Sequence, residues 1–178
     1  MGHFLGIYSV PPAPLNAVIR SQDRAKSDEV LTAVPDLRQD EEHVQALMRL
    51  VDGDFAPGEA EDGPAFVYAF EAICKAMATK STVVEIYVDE ETFPEIFDFV
   101  WNAGEVEFGL PMSPWGSPAA GYRDRDSVRE YIAILQGLDL EKLREKTESR
   151  YDDQIADLIA ALKGADEAGR GVYIFFKE

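Results

Sequence analysis

Residues 83–88, VVEIYV, predict the strand on which the rest of the fold depends. The run combines β-branched and aromatic residues and is bounded by polar ones, as expected of a strand inside a sheet. The same character is found in residues 3–10, HFLGIYSV, and in residues 171–177, GVYIFFK. We therefore expect one small sheet that contains the N-terminal, central and C-terminal strands. The two terminal strands either pair with each other or flank the central one.

Amphipathic segments separate the three predicted strands. The clearest spans residues 64–78, where Phe66, Phe70 and Ile73 recur at the spacing of one helix face. Six or seven such helices are expected to cover the sheet, mostly on one side, which predicts an α+β fold. Since we find no linker and no repeat, residues 1–178 are expected to form a single globular domain.

Two predicted helices begin with a capping-box pattern. Thr92 is followed by Glu95, and Ser127 by Glu130, at the spacing that lets each side chain bond a free backbone N–H. We expect helices to start at both places.

The formal net charge of −17 narrows the class of partner. Such a field repels nucleic acid and anionic lipid, whereas it attracts cationic proteins. The chain has no apolar run of the length that a membrane span needs, and its first residues lack the pattern of a secretory signal. Its single cysteine, Cys74, excludes a disulfide framework. We therefore expect a soluble, cytoplasmic protein that binds neither nucleic acid nor membrane.

Residue patterns typical of catalysis are missing from the sequence. It contains no nucleophile elbow, no P-loop and no dinucleotide fingerprint. Its histidines, His3 and His43, lack the spacing of a metal site. Cys74 falls on the apolar face of its helix, which is typical of a core residue. We predict no catalytic residue, no metal and no cofactor, and we favour a protein that is not an enzyme.

Acidic residues form two blocks that are almost free of bases. Between Lys80 and Arg123 there are eight acids and no basic residue. Residues 40–62 hold eight more acids against Arg49 alone. Two such blocks can form one face that steers a basic protein into contact. We therefore predict an interaction factor, of an immunity or accessory type, that masks a basic partner.

Four acids are the candidate contacts with this partner: Glu90, Glu91, Glu95 and Asp98. For Glu91, Glu95 and Asp98 we also consider a catalytic pair of carboxylates, over which a solvated helix face is favoured. Glu91, Glu95 and Asp98 share one helical stripe, and that stripe is opposite the apolar one of the same segment.

The loop at residues 110–123, LPMSPWGSPAAGYR, supports a second hypothesis. The aromatic rings of Trp115 and Tyr122 can stack on a planar ligand, while Arg123 and Arg125 can hold an anion. The protein would then be a small-molecule binder, or an unfamiliar enzyme, with its pocket beside the loop. Alternatively, Trp115 only covers the core.

The two ends of the chain resemble a known group. The opening MGHFLGIYSV and the stretch from RDRDSVREY to GVYIFF are similar to YfbM-like bacterial proteins. The chain also resembles an actinobacterial family whose members begin MGHFLG and end VYIFFKE. The shared features are a first strand, a series of helices and a final strand. The resemblance therefore implies an α+β fold and no particular activity.

Overall fold

The computed structural model describes residues 3–56, 63–86, 91, 93–106, 108–110, 118–147 and 151–177. The strands are β1 (His3–Ser9), β2 (Lys80–Ile86), β3 (Ala119–Arg123) and β4 (Val172–Lys177). The helices are α1 (Pro12–Asn16), α2 (Arg24–Ala33), α3 (Glu41–Asp52), α4 (Gly63–Met77), α5 (Pro94–Trp101), α6 (Arg125–Gln136), α7 (Leu140–Thr147) and α8 (Asp152–Glu167), with a 3₁₀ helix at Pro35–Gln39. The α+β class is confirmed, and these described ranges contain eight α-helices where six or seven were expected.

All four strands form one antiparallel sheet in the order β2-β1-β4-β3. The terminal strands pair with each other, so that Leu5 lies opposite Phe176. On its other side, β1 pairs with β2, and Leu5 lies opposite Val84. The prediction of one sheet containing the N-terminal, central and C-terminal strands is therefore confirmed. The central strand begins at Lys80, earlier than predicted, and residues 87–88 of the prediction lie outside the described residues.

One strand, β3, is not predicted by the sequence. It occupies the last five residues of the segment that the sequence predicts as a loop, residues 110–123. Alanine and glycine are poor strand formers, so the residue pattern gives no sign of it. Gly121 is required at its position because a Cβ there would lie 2.4 Å from the Cβ of Ala103. This close approach lets Gly104 form a β-bridge with Tyr122. Residues 111–117 of the same segment lie outside the described residues.

Helices cover both faces of the sheet. Tyr8, Tyr173 and Phe175 pack beneath α4 on the face that we call the α4 face. On the opposite face, Leu5 and Ile174 join a second core with residues of α5, α6 and α8. The expectation of helices mostly on one side is therefore wrong. Its physical reason is the unbroken burial of residues 172–176, because a strand that is apolar on both faces needs cover on both.

The start of α6 differs from the predicted capping box. Asp124 is the N-cap, and its carboxylate accepts a 2.8 Å hydrogen bond from the backbone N–H of Ser127. This bond lowers the pKa of Asp124. The box that pairs Ser127 with Glu130 is therefore wrong, because the acid ahead of Ser127 already satisfies the free N–H. Thr92 of the other predicted box lies outside the described residues.

Candidate functional site

A groove of about 310 Å³ opens on the α4 face, between α4, the 3₁₀ helix, α3 and the exposed side of β2. Its polar lining includes Tyr8, His43, Tyr68, Glu71, Lys75 and Lys177. The groove brings together more hydrogen-bonding and charged side chains than the cavity beside β3. We take the groove as the first candidate site.

Glu71 connects three elements at the base of the groove. The phenol of Tyr8 on β1 donates a 2.9 Å hydrogen bond to Glu71 Oε1. The ammonium of Lys177 on β4 donates a 2.6 Å hydrogen bond to Glu71 Oε2. The Glu71 side chain is 9% exposed and that of Lys177 is 23% exposed, so the ion pair is largely shielded from water. A carboxylate in such a place is stable only when it is paired and hydrogen-bonded.

The sequence of α4 explains why an acid reaches this position. Val67 and Cys74 are buried on one stripe of the helix, and Glu71 lies between them at helical spacing. An acid inside an apolar stripe is the signal that could have identified the site from sequence. Its partners could not be found in this way, because Tyr8 and Lys177 are 63 and 106 residues away along the chain.

Gly6 makes room for this arrangement. A Cβ at Gly6 would lie 2.9 Å from Tyr8 Cε2 and 3.0 Å from Glu71 Oε1. Any other residue would displace the Tyr8 ring, the carboxylate or both. The glycine therefore permits the hydrogen bond between β1 and α4.

Two stacked rings form one wall of the groove. The imidazole of His43 lies 4.4 Å from the Tyr68 ring, between centroids, with the planes inclined by 32°. The Lys177 ammonium lies 5.6 Å from the centroid of the Tyr68 ring. Tyr68 therefore contacts an imidazole and an ammonium, on a helix face that also carries Glu71 and Lys75.

Burial keeps two neighbouring groups, the Tyr8 phenol and the Cys74 thiol, protonated. Desolvation, together with the Glu71 carboxylate, raises the pKa of Tyr8 well beyond its usual range. Burial and Glu71 also raise the pKa of the Cys74 thiol. A phenol and a thiol in these states donate hydrogen bonds but do not act as base or nucleophile near neutral pH. Tyr8 therefore contributes a hydrogen-bond donor to the lining of the groove.

A second cavity, of about 390 Å³, lies on the opposite face beside β3. It is lined by residues 100–105, by the first residues of β3 and by Ile174 and Phe176. The ring of Trp101 forms part of it and packs 5.2 Å from that of Phe176. A pocket beside the 110–123 segment was expected, and the end of that segment, Ala119 to Gly121, lines this cavity. Residues 111–117 of the segment lie outside the described residues.

The structure describes three of the four predicted ligand residues, and it does not bring these three together. Trp115 lies outside the described residues. The Tyr122 ring packs 5.0 Å from that of Tyr173 on the α4 face, and Arg123 follows it in the strand and so projects to the other face. There, Arg123 donates to the carbonyl of Phe99 and hydrogen-bonds the end of α5. Arg125 forms an ion pair with Asp166. Both arginines thus bind groups of the protein itself.

The predicted acidic contacts lie on and near α5. Glu91 and Asp98 are exposed, Glu95 is half-buried, and Glu90 lies outside the described residues. Asp98 accepts a hydrogen bond from the Asn102 side chain one turn later. The exposure of Glu91 and Asp98 agrees with a solvated helix face, whereas Glu95 is partly covered.

The groove adjoins an uncovered edge of the sheet. β2 is the last strand on its side, and its outer edge has no partner strand among the described residues. Phe4 and Val83 lie on the α4 face there and are 44% and 54% exposed, the largest exposure of any bulky apolar side chain described. The sequence does not predict this feature, because the exposure of Phe4 and Val83 depends on how far α4 extends over the sheet.

The described part of the chain lacks two further kinds of site. No group of three or more His, Cys, Asp or Glu side chains there is placed to hold a metal ion. None of the helices described is long and apolar enough to cross a membrane.

Comparison with known proteins identifies the family. The family model described as "Domain of unknown function (DUF7691)" matches residues 1–177, so the chain belongs to the DUF7691 family. No curated protein and no solved structure matches the chain. The resemblance to YfbM-like proteins stays a prediction from the residues quoted above.

Proposed function

We propose that this DUF7691 protein is a non-enzymatic interaction factor that binds a basic protein, and that the partner adds an extended segment along β2. The observation that carries the proposal is the state of this edge. β2 ends the sheet among the described residues, and Val83 is 54% exposed on it beside Phe4.

An unpaired edge strand is a template for another chain. Its free N–H and C=O groups can bond an added strand, while alternate side chains provide specificity. The seven residues Lys80–Ile86 are long enough for such a pairing. The exposed side chain of Val83 would gain burial against the added strand, which adds an apolar contribution.

The charge of the surrounding sequence supports a basic partner. β2 lies at the start of the block, from Lys80 to Arg123, that contains eight acids and no base between its ends. Glu85 is exposed on the same face of the strand as Val83. A Lys or Arg of the added strand opposite Glu85 would form a favourable cross-strand pair. Masking of a basic partner, in the manner of an immunity or accessory protein in the cytoplasm, is the role that this chemistry fits.

Site-specific photo-crosslinking in cells that naturally express the protein tests this proposal. A benzophenone amino acid is placed at Val83 in one variant and at Ala133, which is exposed on α6, in the matched control. We expect Val83 to capture a basic protein that the control does not. Replacing Glu85 by Lys in the Val83 variant should reduce the capture, and so should high salt.

The proposal is wrong if both positions capture the same proteins, or if Val83 captures none. It is also wrong if the captured protein is acidic and Glu85→Lys leaves its yield unchanged.

A further inference from the structure

We propose that the groove on the α4 face binds a small planar anion, of the class of an aromatic carboxylate. The groove shares the lining residue Val83 with the proposed partner surface, but the groups that would bind the anion lie on α3, α4 and β4. The inference rests on which hydrogen-bonding groups of the groove are free and on the aromatic wall beside them.

The acids that line the groove are already engaged. Glu71 accepts from Tyr8 and from Lys177, one bond at each carboxylate oxygen. Asp36 accepts from the side-chain amide of Gln39. Glu71, the buried acid of the lining, thus has a partner at each oxygen, and a bound cation would have to compete with both partners.

A cation of the lining, in contrast, is free. Lys75 is exposed, and its ammonium has no hydrogen bond or ion pair with the described residues. Lys177 uses one of its three donors on Glu71, which leaves donors for a second acceptor. A ligand with negatively charged acceptors can therefore accept hydrogen bonds from Lys75 and Lys177.

The helix places this cation beside the rings. Tyr68, Glu71 and Lys75 follow one another at i, i+3 and i+7 on α4, so they share one face. Tyr68 and His43, whose ring centroids are 4.4 Å apart with planes inclined by 32°, place two aromatic side chains along the same wall. A flat ring can pack against this wall while its carboxylate reaches Lys75.

The size of the groove sets the size of the ligand. Its volume of about 310 Å³ is at the lower end of the range for small-molecule sites. One or two fused rings that carry a single carboxylate fit this volume, whereas a nucleotide or a peptide does not.

Calorimetric titration with benzoate, 4-hydroxybenzoate and indole-3-carboxylate tests the inference, and the corresponding neutral amides serve as ligand controls. We expect at least one carboxylate to bind with a Kd of about 1 mM or tighter, and its amide to bind about tenfold more weakly. Lys75→Gln should weaken the carboxylate by about tenfold while leaving the amide unchanged. Lys142→Gln, at an exposed position of α7, should leave both unchanged.

Either variant is accepted only if its thermal midpoint matches that of the parent, which an exposed lysine without a partner should permit. The inference is overturned if none of the three carboxylates binds at about 10 mM, or if carboxylate and amide bind equally. It is also overturned if Lys75→Gln has no effect beyond that of Lys142→Gln. These titrations use the purified protein without a partner, so their outcome does not depend on whether Val83 captures one, and the two proposals fail separately.

Discussion

The phenol of Tyr8 donates a 2.9 Å hydrogen bond to Oε1 of Glu71, which joins the first strand to the middle of α4. Lys177 of the last strand binds the other oxygen of the same carboxylate. One buried acid thus connects the first strand, the long central helix and the last strand. The stability of the α4 face should depend on this cluster and on the glycine that makes room for it.

Replacing Gly6 by Ala should destabilise the protein by about 1–3 kcal/mol, because the new methyl group overlaps the Tyr8 ring inside a packed core. The change in the free energy of unfolding is measured by urea denaturation. Gly164→Ala is the matched control: its Cβ meets only the flexible Lys80 side chain, and alanine is the better helix former. The control should be neutral or slightly stabilising. Equal losses for the two variants would contradict the role given to Gly6.

Glu71 and Lys177 should be energetically coupled. We expect a double-mutant cycle with Glu71→Gln and Lys177→Met to give a coupling of about 1–3 kcal/mol, between the values typical of exposed and of buried pairs. Glutamine keeps an acceptor for Tyr8 and removes the charge that Lys177 faces. The four unfolding free energies are obtained from denaturant titrations. Additive losses would show that the pair contributes nothing as a pair.

Alkaline pH should reduce the stability contributed by Tyr8. Its pKa is raised in the folded state by burial and by Glu71, while the phenol of the unfolded chain titrates near its ordinary value of about 10. The contribution is therefore complete below about pH 10 and is lost as pH rises above it. Tyr8→Phe, which we expect to cost about 1 kcal/mol at neutral pH, should approach the parent in stability above pH ~10.

Unfolding free energies of both proteins from neutral pH to about pH 11 test this expectation. Titration of Cys74, whose pKa is also raised, occurs in both proteins and cancels in the difference. A stability difference between the parent and Tyr8→Phe that stays constant from neutral to alkaline pH would mean that folding does not raise the pKa of Tyr8.

Arg123 should matter to stability and Arg125 should matter little. Arg123 donates to the Phe99 carbonyl at 3.1 Å and lies 4.9 Å from the centroid of the Tyr131 ring, so Arg123→Met should cost about 1–3 kcal/mol. Arg125 shares Asp166 with Arg129 at the surface, so Arg125→Met should cost less than about 1 kcal/mol. Thermal and chemical unfolding of the two variants compares them directly. Equal losses of stability in the two variants, or a larger loss in Arg125→Met, would contradict the greater role given to Arg123.

The sequence predicts the sheet better than it predicts the site. The strands of the two chain ends are recognisable because their apolar runs leave few alternatives. β3 is not recognisable, since Gly121 is required by its close approach to Ala103, and alanine and glycine have low strand propensity.

This missed strand explains why the predicted ligand residues separate. Adjacent residues of a strand point to opposite faces, so Tyr122 and Arg123 cannot form one clamp once β3 exists. The Glu71 site shows the reverse case. An acid in an apolar helix stripe is visible in the sequence, whereas its partners are set by the pairing of the terminal strands.

Hydrogen exchange on the complex tests the central claim most directly. The partner captured through Val83 is added to the unmodified protein, and exchange of the backbone amides is followed residue by residue. Addition of a strand predicts new protection at alternate residues of Lys80–Ile86, those whose N–H groups point away from β1, and no change in β3. Unchanged exchange throughout β2, with protection gained elsewhere, would contradict binding along this edge.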